Sequence, residues 1–267
     1  MQKISVIIPT FNRQDYILET LDSLRKQSCT DWECIIVDDG SCDNTVILIQ
    51  KYAQSDQRFS IYKRPDSMQK GANSCRNFGF LKAKGNYIKF LDSDDLLKQD
   101  CLERQVVILN EKPEVKVCLS YGRFFDNDTK ELKEFWSRRK EYSHYLLGHI
   151  TNQIRWAVCD PLWRKSFFSA PPFKEGLMNS QEWLMHGEAM FKLKSKEIYN
   201  LQKNFSLIRR GNNRMSSKRS SSYYNNQKKS RLYLLQKIGI LNFKYFQCNF
   251  QLIKQILVFL YWQIKTK

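Results

Sequence analysis

The sequence predicts an α/β protein with a mostly parallel sheet and helices on both faces. Three observations carry that prediction. Strand-like and helix-like periods alternate from Lys3 to Tyr121. The strand-like runs are continuously apolar, as strands buried on both faces must be. Three of these runs stop at polar residues: Pro9-Thr10-Phe11-Asn12, Asp38-Asp39 and Asp92-Ser93-Asp94. In such sheets ligands bind beyond the carboxyl ends of the strands, so three distant segments converge on one edge.

Each element follows in order. Lys3–Ile8 is the first strand, and Ile17, Leu21 and Leu24 recur at helical spacing after it. Glu33–Val37 is the second strand. Ser41 or Asp43 then caps a helix whose inner face is Val46, Ile49 and Ala53. Phe59–Tyr62, Asn86–Leu91 and Val115–Tyr121 are further strands, separated by helices over Ala72–Lys82 and Gln99–Leu109. The second half is less regular: Trp156–Arg164 and Phe167–Phe173 are rich in aromatic residues and proline. Gln181–Phe191 reads as a helix with Trp183, Gly187, Met190 and Phe191 near one face.

Charge divides the chain. Of 44 Lys and Arg, 14 lie from Ile198 onward, where there is no Asp or Glu; the preceding 197 residues carry 30 basic against 27 acidic side chains. A near-neutral body with a basic tail calls for an anionic partner at the tail. The eight cysteines form no CxxC pair, which argues against a zinc site or disulfide scaffold and for reduced thiols in a cytosolic protein. The apolar run from Ile4 meets Pro9 too soon for a secretory signal.

Asp92 and Asp94 are the sharpest chemical signal. At i and i+2 on an extended segment both carboxylates face one ligand. A hard divalent cation takes one or two carboxylates plus phosphate oxygens. The competing reading is a solvated acidic turn capping the next helix; the placement directly after Tyr87–Leu91 favours the site.

Four motifs now resemble a known family. Ser5-Val-Ile-Ile-Pro-Thr-Phe-Asn12, Ile35-Ile-Val-Asp-Asp-Gly-Ser41, Gly71-Ala-Asn-Ser-Cys-Arg-Asn-Phe-Gly79 and Phe90-Leu-Asp-Ser-Asp-Asp95 are similar, in order and spacing, to the signatures of family 2 glycosyltransferases of the kind that build bacterial surface polysaccharides. The resemblance implies a GT-A fold and a nucleotide-diphosphate sugar donor, with a UDP-sugar favoured. It also implies Mn²⁺ or Mg²⁺ and inverting transfer of a hexosyl or N-acetylhexosaminyl unit to a hydroxyl of a glycan or lipid-linked acceptor. Carried over, Pro9, Thr10, Phe11, Asn12, Asp38 and Asp39 contact the nucleotide, with Phe11 standing where tyrosine is common. Arg76, Asp92 and Ser93 meet the donor, and Asp94 and Asp95 the metal. Glu182 before Trp183 takes the place of the family's general base, usually Asp; its competitor is a helix-dipole role in the first turn. His186 reads as a surface or packing residue. Arg210 and Arg214 in the late basic segment are candidates for the donor diphosphate, weighed against a solvated loop.

The resulting division is a catalytic domain over residues 1–210, with a nucleotide-sugar-binding half (1–122) and an acceptor-side half (123–210). A mobile basic linker (211–231) and an amphipathic basic helical extension (232–267) follow. In the extension Leu252, Ile253, Ile256, Leu257, Leu260 and Tyr261 form one apolar face. Such a face suits the cytoplasmic surface of an anionic membrane, to which the enzyme would be peripherally attached. It suits equally a helix packed on the body or on a second subunit of a homo-oligomer. A catalytically silent relative and a nucleic-acid-binding protein are the alternatives. The acidic strand ends speak against nucleic acid as a partner.

Overall fold

The computed structural model describes residues 3–139, 144–210 and 220–266. Every strand and helix expected up to Tyr121 is present. β1 (Ile4–Thr10), β2 (Trp32–Asp38), β3 (Phe59–Lys63) and β4 (Tyr87–Phe90) pair in parallel in the order β3-β2-β1-β4. All seven residues of β1 are buried, which is why its sequence shows no polar alternation. The connecting helices are α1 (Ile17–Arg25), α2 (Thr45–Ser55) and α3 (Ala72–Lys82). α3 seats closely on β1 because residue 79 is glycine: a Cβ there would lie 2.5 Å from Ile7 Cγ2.

Beyond β4 the sheet becomes mixed. β5 (Leu96–Leu97), α4 (Cys101–Glu111), β6 (Val117–Asp126), β7 (Leu132–Phe135) and β8 (Arg138–Arg139) follow in the chain. After them come α5 (Tyr145–Ile150), β9 (Ile154–Arg155), β10 (Pro161–Arg164), α6 (Gln181–Lys192) and β11 (Ile198–Arg210). The sheet continues β4-β10-β6-β11-β5, with β10 antiparallel to both neighbours and β11 parallel to β6. β10 comes from the aromatic, proline-containing stretch, and its Trp163 is fully buried between α/β layers. The result is the GT-A arrangement, a curled and largely parallel sheet flanked by helices. The eight cysteines form no disulfide.

The C-terminal region departs from the expected division. Residues 211–219 of the anticipated linker lie outside the described residues, but Ser221–Arg231 belong to a regular helix, α7 (Ser221–Ile238). Ser220 caps it by accepting from the Tyr223 N–H at 3.2 Å. Low apolar content suggested a linker, yet the buried face of this helix is built from Tyr224, Asn226, Ser230 and Arg231. α8 (Phe246–Lys265) then folds back along α7. Leu234, Leu235, Ile238, Cys248 and Leu252 join the same apolar cluster as Ile7, Phe90 and Trp163. A Cβ at Gly187 of α6 would lie 2.9 Å from Leu234 Cδ2, so α6 and α7 are in intimate contact. The extension is therefore part of the catalytic body. Its single expected apolar face is in fact two, since Leu252 is buried against the body while Ile253 and Leu257 are exposed.

Candidate active site

The loops after β1 and β2 are laced together. Asn12 adopts a left-handed backbone (φ 49°). Its N–H donates to Ser41 Oγ at 2.9 Å, and its Oδ1 accepts from the Cys42 N–H at 2.9 Å. Asp38 spends its carboxylate on its own loop: Oδ2 accepts from the Gly40 and Ser41 N–H groups at 2.9 Å, and Oδ1 from the Ser41 hydroxyl. Asp39 is buried against Arg64 Nε at 2.5 Å. Thr10 is buried with a hydroxyl that has no partner among the described residues, and Phe11 presents a partly exposed ring with Lys70 Nζ 4.5 Å above it. Thr10 and Asp38 sit opposite each other in the β1–β2 register. Pro9 precedes Thr10 in the same strand.

A separate cavity of about 840 Å³ opens beside these loops. Of the residues expected from sequence, Arg76, Asp92, Asp94, Asp95, Glu182 and Arg210 line it. Pro9, Thr10, Phe11, Asn12, Asp38 and Asp39 are not among its lining, and Ser93 is buried behind it.

Asp92 and Asp94 share this wall for a different reason from the one expected. The segment is a turn, closed by the Asp95 N–H donating to the Asp92 carbonyl at 3.2 Å, not an extended strand. Asp92 Oδ1 accepts from Arg76 Nη2 at 2.6 Å. Asp94 pairs with Arg13 at 3.5 Å, and burial, then the charge of Asp92, hold its carboxyl above the usual range. Asp95 faces inward, buried, and accepts from the Arg209 N–H at 3.0 Å. Two neighbouring carboxylates whose repulsion a cation would relieve suit a divalent metal whose remaining ligands come from phosphate. Among the described residues no group of three or more metal-ligating side chains is gathered.

Across the cavity, Glu182 occupies the first turn of α6, where the helix dipole favours negative charge. Its Oε2 accepts from the Val158 N–H at 3.1 Å. Burial, reinforced by the charge of Asp92, pushes its carboxyl up to about 7 against the opposing Arg76. Asp160 holds the loop that makes this contact: fully buried, and pushed by that burial up to about 6, it accepts from the Ala157 N–H at 2.7 Å and from the Ser137 hydroxyl. Arg76 joins the two walls, since Nη1 also reaches Gln181 Oε1 at 3.2 Å.

Arg13, Arg64, Asp160 and Arg209 were not singled out by sequence. Arg209 is the buried arginine of its pair. It donates from Nε to the Asp94 carbonyl at 2.8 Å and pairs with Glu19 at 2.7 Å, whereas Arg210 is exposed and pairs with Glu134 at 3.0 Å. Partners on the turn after β4 and on α1 distinguish these adjacent arginines, and nothing local in the sequence does. Arg214 lies outside the described residues. His186 is buried among Trp156, Trp163 and His149, and burial lowers it to about 3. It is a packing residue and not a surface one.

The α6 turn that carries Glu182 is held from behind by α7. The Arg231 guanidinium lies 3.7 Å from the Trp183 ring centroid and donates to Ser180 Oγ at 3.2 Å and Gln255 Oε1 at 3.1 Å. Gln255 of α8 in turn donates to the Ile150 carbonyl at 2.6 Å, so α5, α6, α7 and α8 lock around Trp183.

The fold is of the GT-A class. Residues 5–168, more than half of the chain, match the family Glycosyl transferase family 2, and the chain belongs to that family. It is 41% identical over 109 residues to a putative teichuronic acid biosynthesis glycosyltransferase of Bacillus subtilis, covering 41% of this chain and 42% of that protein. It is 33% identical over 150 residues to an uncharacterized glycosyltransferase of Haemophilus influenzae, covering 56% and 59%. The chain thus spans about half the length of these curated relatives. The solved structure of residues 1–349 of S. aureus TarS with UDP-GlcNAc superposes with a TM-score of 0.68 at 21% identity, over 98% of this chain and 73% of that one. A mannosyltransferase of Pyrobaculum calidifontis, solved with GDP-Man and Mn²⁺, superposes with a TM-score of 0.60 at 14% identity, over 88% and 64%.

Proposed function

We propose that this chain is an inverting glycosyltransferase that moves a sugar from a nucleotide-diphosphate sugar, with a UDP-sugar favoured, to a hydroxyl of a glycan or lipid-linked acceptor. Its setting is cell-surface polysaccharide synthesis at the cytoplasmic face of a membrane, to which the basic C-terminal segment attaches it peripherally. One observation carries the reading. A carboxylate pushed up to about 7, Glu182, faces the Arg76–Asp92–Asp94 cluster across one cavity. The TarS structure with UDP-GlcNAc and the mannosyltransferase with GDP-Man support the donor class.

Thr10, Phe11 and Asp39 receive the nucleotide, Asp39 by accepting a uracil N–H or a ribose hydroxyl. Arg76 and Asp92 orient the sugar end of the donor, with Arg210 at the rim. Glu182 in its ionised form takes the proton of the acceptor hydroxyl as that oxygen attacks the anomeric carbon from the face opposite the departing diphosphate. A pKa near 7 suits this role, because the base is then ionised in a large fraction of molecules yet basic enough to accept the proton. Asp94, with Asp92 beside it, would hold Mn²⁺ or Mg²⁺, which when bound neutralises charge on the diphosphate.

The test is hydrolysis of a panel of nucleotide sugars by the full chain, with and without Mn²⁺. Turnover should require metal, and Asp94→Asn should abolish it while leaving the melting temperature near that of the parent. Turnover that ignores both metal and Asp94 would sink the assignment, and nucleotide binding without any turnover would indicate a silent relative.

A further inference from the structure

The C-terminal helix pair leaves one face of the molecule uncovered. On α8 the side chains of Phe246, Phe250, Ile253, Leu257, Tyr261 and Ile264 recur every three or four residues, the spacing of a single helical stripe. Each is between 41% and 65% exposed. The opposite stripe, with Cys248, Asn249 and Leu252, is buried against the body. The free stripe runs on into the α7–α8 connection, where Leu241 and Phe243 are 84% and 86% exposed. It also borders a groove of about 310 Å³ between the end of α5 and α8, lined by Leu147, Thr151, Phe246 and Phe250. Contiguous exposed apolar surface on this scale marks an interaction site.

Charge selects the occupant. Lys237, Lys244, Lys254 and Lys265 are exposed along α8 and its approach, and none makes an ion pair among the described residues. No acidic residue follows Glu197. A second copy of the same face would set lysine against lysine, whereas an anionic lipid surface neutralises them while accepting the apolar stripe. No described helix is long and apolar enough to cross a membrane, so the stripe would lie in the interface plane. Position adds a consequence for function: α8 packs on α5 and α7, and both pack on α6, which carries Glu182.

We infer that the outward stripe of α8, with the α7–α8 connection, is the face that lies on an anionic bilayer. It turns the acceptor-side helices, and not the nucleotide-binding half, toward the lipid. This deepens the membrane part of the proposed function and rests on it, while the transferase chemistry stands or falls separately. The acceptor class it favours is a lipid-linked glycan, whose sugar would approach from the side on which the stripe lies.

The test is co-sedimentation of the full chain with vesicles of phosphatidylcholine alone or mixed with phosphatidylglycerol. The parent should pellet with the anionic vesicles, and less so at high salt. Phe250→Asp combined with Leu257→Asp should weaken that partitioning roughly tenfold or more. UDP binding, which involves neither residue, should not change. If the aspartates compromise folding, Lys244→Glu with Lys254→Glu gives the same reading from the charge side. Parent and variants pelleting alike would overturn the stripe assignment yet leave membrane attachment standing, and a parent that stays in the supernatant would overturn both. A concentration-dependent dimer that the Asp pair converts to monomer would assign the face to a second copy instead.

Discussion

The two halves of this molecule are built by different means. In residues 1–122 most candidate site residues follow the ends of β1, β2 and β4, strands that are buried almost throughout, and Arg76 on α3 is the exception. Site and fold are therefore read from the same short motifs. In the second part of the chain, Glu182 is held by partners far away in sequence: Val158 and the buried Asp160 on the loop before β10, and Arg231 on α7 behind its helix turn. Strand ends position chemistry locally, whereas interlocked helices do so through long-range contacts. A change to the C-terminal helices should therefore reach Glu182 as well as a change beside it.

The strongest way to break this comparison is to remove α7 and α8. Leu234, Leu235, Ile238, Cys248 and Leu252 are all buried in the shared core. Fully burying a large apolar side chain is worth about 1.5–3 kcal/mol, so losing several approaches the roughly 5–15 kcal/mol that holds a domain folded. A chain ending at Arg210 should show no cooperative thermal unfolding and bind no UDP. A cooperative transition close to that of the full chain would mean that the helices are detachable after all.

Next in size is the test of Glu182 as the proposed base. Glu182→Gln should keep UDP affinity and lose roughly 10²–10⁴-fold in kcat, the usual worth of a general base. Equal kcat across pH would return Glu182 to a helix-dipole role. In the parent, kcat should rise with pH through about 7, because only the ionised carboxylate accepts a proton.

These expectations show what was legible. The strands, helices and acidic strand ends up to Tyr121 follow from period and punctuation alone, and the Asp92–Asp94 pair was visible even though a turn, not an extended strand, brings the two together. The C-terminal half was less legible because its burial is polar. α7 buries Asn226, Ser230 and Arg231, residue types that local reading assigns to loops. Arg209 and Arg210 are chemically identical and differ in burial and in which distant partners each meets. Glu182 could be placed by its resemblance to a family segment, but its raised pKa depends on Asp92 and on burial under elements remote in sequence.

Arg231→Ala sharpens the comparison further. It removes the cation over Trp183 and the donor to Ser180, a residue at the cavity wall, without contacting Arg76, Asp92, Asp94 or Glu182. A cation–π contact that is desolvated is worth about 2 kcal/mol and a hydrogen bond about 1 kcal/mol, so stability should fall by roughly 2–3 kcal/mol. Beyond that loss, kcat should fall with UDP affinity unchanged at temperatures where the variant is fully folded. A variant that is merely less stable, with parental kcat when folded, would reduce Arg231 to a packing role.

The smallest expected effect separates function from stability at one atom pair. In the folded chain Glu182 binds its proton up to a pH of about 7, well above the ordinary value of 4.5. Between those values the folded state holds more protons than the unfolded state. Glu182's contribution to stability should therefore be full below about pH 4.5, be lost as pH rises through about 7, and then level off. Glutamine imitates the protonated carboxyl and cannot ionise, so Glu182→Gln should match the parent near pH 4. At pH 8 it should exceed the parent by on the order of 1–3 kcal/mol. Asp160, also raised by burial, is present in both proteins and cancels from the difference. Urea unfolding of parent and variant at the two pH values measures it directly. A gain at pH 8 in a variant that has lost turnover would mean that the chain holds a costly ionised carboxylate at the acceptor side because the chemistry requires one there. Equal stability at both values would mean that Glu182 is solvated as an ordinary surface carboxylate and is not tuned by the interlock behind it.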